Sequence, residues 1–142
     1  MNIAIVGATG NVGRKTLEVF DKKNFKFDNL YLVASEKSAG KKISFRDKEY
    51  VIENLETYDF SKADITFFAA GGKIAEKFAE KAAKHTIVID NSSFFRMDPD
   101  VPLIVPQVNA SEIKNMKKNI IANPNCSTAQ LVIALKPLHN LF

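Results

Sequence analysis

The single cysteine of this 142-residue chain, Cys126, stands in the run Asn123-Pro124-Asn125-Cys126-Ser127-Thr128, with Leu131, Val132 and Leu135 following at helical spacing. Pro124 disfavours helix at Asn123, and Asn, Ser and Thr start helices, so the pattern predicts a helix that begins at or near Cys126. The unpaired N–H groups of a helix start favour an ionised sulfur, and a thiolate attacks activated acyl carbons. A lone cysteine is commonly a small buried hydrophobe. The helix-starting residues around this one favour the nucleophile instead.

A second chemical feature lies at the other end of the chain. The apolar run Ile3 to Val6 leads into Gly7-Ala8-Thr9-Gly10-Asn11-Val12-Gly13 and then into an amphipathic stretch. Glycines in this G-x-x-G-x-x-G spacing let the backbone turn tightly and approach a pyrophosphate, whose charge rests on the N–H groups opening the helix. The spacing is not the strict G-x-G-x-x-G, and the strand–turn–helix context is what carries the dinucleotide reading. The second strand should end near Ala34, where an NAD site usually presents an acid to the ribose 2′-hydroxyl. Here the tip reads Ser35-Glu36-Lys37-Ser38-Ala39-Gly40-Lys41, whose hydroxyls and cations suit a 2′-phosphate, with Glu36 expected to face outward. NADP is therefore expected over NAD. Ala70, Gly71 and Gly72, after the third apolar run, are expected to let the chain pass close to that cofactor.

These residues need a scaffold, and the apolar pattern supplies one. Five short runs, Ile3 to Val6, Leu30 to Ala34, Ile65 to Ala70, Thr86 to Ile89 and Ile120 to Ala122, are continuous, as strands covered on both faces are. Helical spacing appears between them at Val12, Leu17, Val19 and Phe20, and at Ile74, Phe78 and Ala82. The alternation predicts an α/β fold of Rossmann-like type, a doubly wound, mostly parallel sheet with helices on both faces. Ile43 to Ile52 reads as a pair of extended segments turning at Arg46-Asp47-Lys48. The stretch Asp90 to Pro106, with Pro99, Pro102 and Pro106, cannot be helical for long.

Composition narrows the function classes. A hydrophobic fraction of 46% with 25% charged residues is that of a folded domain. One cysteine and two histidines exclude an internal disulfide and a Cys/His zinc cluster, and they suit a reducing compartment. The net charge of +4 comes from 20 cations, all but three of them lysines, scattered among 16 acids. With no basic tract, this predicts a solvated surface and no nucleic-acid partner. No apolar stretch reaches membrane-spanning length and no signal-peptide core is visible, so the expected setting is cytoplasmic, without a membrane partner.

Over essentially the whole chain the motifs resemble the N-terminal NADP-binding domain of the aspartate-semialdehyde dehydrogenase family. They are the turn Gly7 to Gly13, Ser35 to Lys41, Ala70-Gly71-Gly72, Asp90-Asn91-Ser92-Ser93 with Phe95-Arg96-Met97, Val105-Pro106-Gln107-Val108-Asn109, and Pro124-Asn125-Cys126-Ser127-Thr128. The last is the most specific, since the sister enzyme N-acetyl-glutamyl-phosphate reductase has Pro-Gly-Cys where Asn125 precedes the cysteine here. Lys37, Ala70 and Gln107 stand where the family commonly has Arg, Ser and Glu. The resemblance implies that Cys126 displaces phosphate from an aspartyl 4-phosphate and that NADPH reduces the resulting thioester to the aldehyde. That is a step of lysine, diaminopimelate, threonine and methionine biosynthesis. It also implies that Arg96 binds the phosphate and Asn125 orients substrate. The expected partners are thus an acyl-phosphate or aldehyde small molecule and inorganic phosphate.

A general acid or base is missing from this inventory. His85 falls between a helix and a strand, and His139 follows Pro137 beyond the expected cysteine helix, so both read as structural. The family takes its catalytic histidine, a substrate-binding arginine and much of its homodimer interface from a later domain. Residues 1–142 are therefore expected to be the cofactor domain of a longer, dimeric enzyme, one that binds nucleotide but by itself turns over little. Two alternatives stay open: the sister reductase, and a non-catalytic NADP-binding module.

Overall fold

The computed structural model describes residues 1–142. In chain order the elements are β1 (Asn2–Val6), α1 (Asn11–Lys22), β2 (Asn29–Ala34), β3 (Lys42–Phe45), β4 (Lys48–Asn54), β5 (Ile65–Phe68), α2 (Gly72–Ala83), β6 (Ile87–Asp90), α3 (Pro106–Asn109), β7 (Ile120–Ala122) and α4 (Cys126–His139). The strands form one sheet in the order β3-β4-β2-β1-β5-β6-β7, parallel throughout except for the β3–β4 hairpin. From β1 the chain winds one way through α1 to β2 and later the other way through α2 to β6, which puts the two helices on opposite faces.

The alternation of side chains along each strand divides the core in two. Ile3 and Ile5 pack with Leu30, Leu32 and the α1 residues Leu17 and Phe20. Ala4 and Val6 pack on the other side with Val33, Phe68, Val88, Ile120 and the α2 residue Phe78. Burying each large apolar side chain contributes roughly 1.5–3 kcal/mol, so both layers are needed to hold the central strands. Small residues line the buried face of α2, where Ala75, Ala79 and Ala82 are fully covered, and they let this helix lie close to the sheet. The hairpin is held by Arg46. Its Nη2 donates to the carbonyls of Phe20 (2.9 Å) and Phe25 (3.0 Å), near the end of α1, and its guanidinium lies 5.0 Å from the Phe45 ring centre.

Several details differ from the sequence pattern. The third run stops being strand at Phe68, because Ala69 to Gly71 turn toward α2. Lys48 belongs to β4, leaving Arg46-Asp47 as the turn. Val12 and Val19 match the apolar period of α1, yet both are exposed. His139 was expected beyond the cysteine helix, but α4 runs through Pro137 to include it. Pro137 has no N–H to offer the preceding turn, and that turn is open to water, which can take the freed carbonyl. No residue of α4 is buried, and Leu131, Leu135 and Leu138 stand exposed on it.

The connection between β6 and β7 is fastened by ion pairs. Lys118 reaches Asp98 (3.0 Å) and Glu80 of α2 (3.2 Å), and Lys117 reaches Asp100 (2.8 Å). The Asp98 carboxylate also accepts the Asp100 N–H at 2.9 Å. That hydrogen bond, followed by the one from Lys118, holds Asp98 below the usual carboxylate range.

Two measurements follow from this packing. An ideal Cβ on Gly13 would stand 2.4 Å from the Gly7 carbonyl oxygen and 2.7 Å from the Ala8 Cα, so Gly13→Ala must push α1 off the turn. Urea denaturation of Gly13→Ala should show a loss of about 1–3 kcal/mol, and an unchanged midpoint would contradict the close approach. A carboxylate with a depressed value stabilises the fold above its unfolded pKa, and the contribution disappears as pH falls through the folded value. The Tm difference between the wild type and Asp98→Asn should accordingly be largest near neutrality and shrink below about pH 4. A difference independent of pH would show that the carboxylate charge is not what matters.

Candidate active site

All strands but β3 end on one edge of the sheet, and the residues singled out by chemistry gather there. Gly7 leaves β1 with φ +86°, a left-handed conformation that disfavours any Cβ. Its N–H donates to the Val33 carbonyl (2.8 Å), which ties the turn to β2. A Cβ on Gly7 would come within 2.7 Å of the Ala69 carbonyl oxygen, so the chain leaving β1 touches the chain leaving β5. The turn closes with the Gly10 N–H on the Gly7 carbonyl (3.0 Å). Gly10 caps α1 with no side-chain hydrogen bond, so the first-turn N–H groups at Asn11, Val12 and Gly13 have no side-chain acceptor from the cap.

A cleft of about 370 Å³ opens over this turn, lined among others by Gly7, Thr9, Gly10, Ser35, Ala70 and Ile74. Of the residues expected to hold a cofactor, these are the ones brought together, Ile74 being an addition. Gly13 is buried beneath the turn as a packing residue. Glu36 to Ser38 form a short 3-10 turn beside the cleft, with Glu36 and Lys37 exposed and Ser38 half-buried, and none of the three lines it. Gly71 starts α2 with φ +84° and nothing within 4 Å of its ideal Cβ, so its backbone conformation rather than crowding calls for glycine. Gly72 faces Phe94, 3.9 Å from its ideal Cβ. Val12 lines a different opening, a cleft of about 350 Å³ that runs past Phe67 and Ile89 to Asn91 and Asn123.

The cysteine lies three strands along the same edge. Strand spacing puts β7 about 14 Å from β1. Cys126 is the first residue of α4 and is exposed. Asn125 caps the helix: its Oδ1 accepts the Ser127 N–H (2.9 Å) and the Ser127 hydroxyl (2.8 Å), and the Cys126 sulfur lies 3.5 Å from it. Arg96, from the loop after β6, is half-buried. Its Nε donates to the Asn123 carbonyl (3.0 Å) and its Nη2 to the Asn91 carbonyl (3.3 Å). The arginine is therefore fixed to the strand end that leads into the cysteine. Nearby, the fully buried Asp90 carboxylate accepts both the N–H (3.0 Å) and the hydroxyl (2.7 Å) of Ser92, which shapes the start of that loop.

Neither histidine reaches this edge. His85 is exposed at the opposite end of β6, and His139 ends α4, about 20 Å along the helix from Cys126. Motif reading had not assigned roles to Asn91, Asn123 or Ser127. The available signal was positional, since Asn91 and Asn123 each directly follow a strand. No group of metal-ligating side chains is present.

Known proteins share both this sequence and this geometry. The sequence profile described as "Semialdehyde dehydrogenase, NAD binding domain" matches residues 2–116. Aspartate-semialdehyde dehydrogenase of Aquifex aeolicus is 53% identical over 141 residues, covering 97% of this chain and 42% of that protein. Aspartate semialdehyde dehydrogenase II of Vibrio cholerae, solved in complex with ASA, superimposes with a TM-score of 0.91 at 48% identity, over 98% of this chain and 46% of that one. The Candida albicans enzyme, solved with NADP, gives 0.77 at 30% identity, over 99% and 47%. The chain spans about 42% of the length of the curated relatives it matches. With its glycine turn, its switch-point cleft and a profile match across most of its length, the chain belongs to the semialdehyde dehydrogenase family, whose NAD-binding domain it comprises.

Proposed function

We propose that this chain is the cofactor-binding, cysteine-bearing domain of an NADPH-dependent aspartate-semialdehyde dehydrogenase, which converts L-aspartyl 4-phosphate to L-aspartate 4-semialdehyde and inorganic phosphate. The observation that carries the proposal is the placement of an exposed Cys126 at a helix start on the same sheet edge as a glycine turn without a side-chain cap, with Arg96 fastened to the strand end that leads into the cysteine.

The cradle suits a dinucleotide. Side chains at Gly7 and Gly10 would fill the space against Ala69 and over the turn, and the open N–H groups of α1 suit a pyrophosphate. Ser35, Lys37 and Ser38 stand at the tip of β2, where an adenosine 2′-phosphate would find hydroxyls and a cation, and this favours NADP. Bound NADPH supplies the hydride that takes a thioester to the aldehyde level.

The chain's own residues carry the acyl transfer. The Cys126 thiolate attacks the acyl carbon; a C–S bond forms, the C–O bond to phosphate breaks, and phosphate leaves with that bond's electron pair. The Ser127 N–H is held by the Asn125 cap, and the N–H groups of Cys126 and Thr128 are the ones left for the oxygen on which charge builds. Arg96 has N–H groups beyond the two it gives to carbonyls, and a planar guanidinium suits the phosphoryl oxygens. The amide of Asn125 stands beside the sulfur to orient the substrate. Proton transfer to the product falls to a group outside residues 1–142, because His85 and His139 lie far from the sulfur. We assign that group, the substrate-carboxylate arginine and the dimer contacts to a further domain, and expect negligible turnover from residues 1–142 alone.

Two measurements test this reading. Gly10 has an ordinary φ of −77°, and an added Cβ would lie 3.3 Å from the Gly7 oxygen, so alanine there is nearly tolerated by the fold while occupying the cradle. Gly10→Ala should bind NADPH about tenfold more weakly in a fluorescence titration with little change in Tm. Equal affinity in the two proteins would remove the turn from the cofactor site. Iodoacetamide should alkylate Cys126 several-fold faster than a free thiol at pH 7. A rate no faster than free cysteine would point to a nucleotide-binding module without the chemistry.

A further inference from the structure

From the strand ends beneath the proposed phosphate site, we infer that Asn91 and Asn123 form a cross-strand amide clamp that positions the Arg96 guanidinium. The inference rests on the proposed role of Arg96 and deepens it. Asn91 directly follows β6 and Asn123 directly follows β7. The parallel ladder extends into both, through the Asn91 N–H on the Phe68 carbonyl (3.0 Å) and the Asn123 N–H on the Asp90 carbonyl (2.8 Å). Above the last ladder bond, the Asn123 side-chain Nδ2 donates to the Asn91 Oδ1.

This side-chain bond closes a ring. Arg96 donates to the main-chain carbonyls of the same two asparagines, so the two acceptors must sit at one fixed separation for both hydrogen bonds to form. Nε and one N–H of Nη2 are thereby used, which leaves three of the five guanidinium N–H groups free to face the phosphoryl oxygens. Pro124, buried and directly after Asn123, leads the chain from these strand ends to Cys126. A guanidinium fixed on two carbonyls loses little freedom when it takes a phosphate, whereas a free arginine must be ordered in the same step.

The effect is readable in the 142-residue chain with inorganic phosphate as the probe. Phosphate at the Arg96 site should slow alkylation of the neighbouring Cys126 by iodoacetamide, and its half-protecting concentration reports occupancy. Asn91→Ala and Asn123→Ala should each raise that concentration about tenfold, close to the effect of Arg96→Ala. The double variant Asn123→Ala/Arg96→Ala should be no worse than Arg96→Ala alone, since the clamp acts only through the arginine. Tm and the phosphate-free alkylation rate should stay near wild type, which a loss of general structure would not allow. If Asn91→Ala does not fold, Asn91→Ser serves in its place. Wild-type protection in the asparagine variants, or losses that multiply in the double variant, would overturn the clamp while leaving the Arg96 assignment standing. An Arg96→Ala protein protected like wild type, or a wild type that phosphate does not protect, would overturn the arginine's role and the clamp with it.

Discussion

Three stretches of backbone meet where β1 ends. Gly7 lies against the Ala69 carbonyl on one side and against Gly13 of α1 on the other: an ideal Cβ on Gly7 would stand 2.7 Å from the Ala69 oxygen, and one on Gly13 2.4 Å from the Gly7 oxygen. Side chains at these two positions would separate β1 from β5 or lift α1 from the sheet. That contact sets the direction of α1, and hence where its first N–H groups point. It also fixes the distance between the β1 and β5 ends, across which the cleft opens. The cofactor side of the molecule depends on it more than on exposed ion pairs such as Lys15–Glu18, Lys42–Glu49 and Lys77–Glu56, each of which contributes little.

The cysteine side is organised differently. Phe95, Val101 and Ile120 anchor it in the core, and short hydrogen-bonded connections position its polar groups. Asp90 shapes the loop through Ser92, Arg96 spans two strand-end carbonyls, and Asn125 caps α4 through Ser127. Asp90, Arg96 and Asn125 each bond at least one main-chain group, so the loop start, the guanidinium and the entry to α4 take their positions from the strand ends. The Asp98–Lys118–Glu80 network then fastens the far end of the same loop to α2.

Much of this could be read from local pattern. Continuous apolar runs marked the parallel strands because both faces of β1 and β2 are covered, and the glycines after Val6 marked the turn because Gly7 and Gly13 leave no room for a Cβ. Pro124 and the polar residues after it located the start of α4. What local pattern lacks is information about partners. Val12 and Val19 have the right period for α1 but flank an open cleft, and Leu131 and Leu135 have it for α4 but meet no sheet. The Asn91–Asn123 bond joins residues 32 positions apart, a pairing that neither residue's neighbours encode. The short α3, opened by Pro106 at its first turn, follows the proline-rich stretch and has no apolar period to announce it.

The strand order grades stiffness across the rim. β1 is bonded on both sides and buried on both faces, so its amides should open only with the whole domain, and the glycine turn inherits that rigidity. β7 has three residues, borders the sheet and leads into a helix with no buried side chain. The sulfur is therefore carried by one of the most loosely anchored elements of the fold, while the nucleotide cradle is carried by the most firmly anchored one. A reagent approaching from solvent meets an adjustable thiol beside a fixed groove, and covering α4 would stiffen the first without disturbing the second.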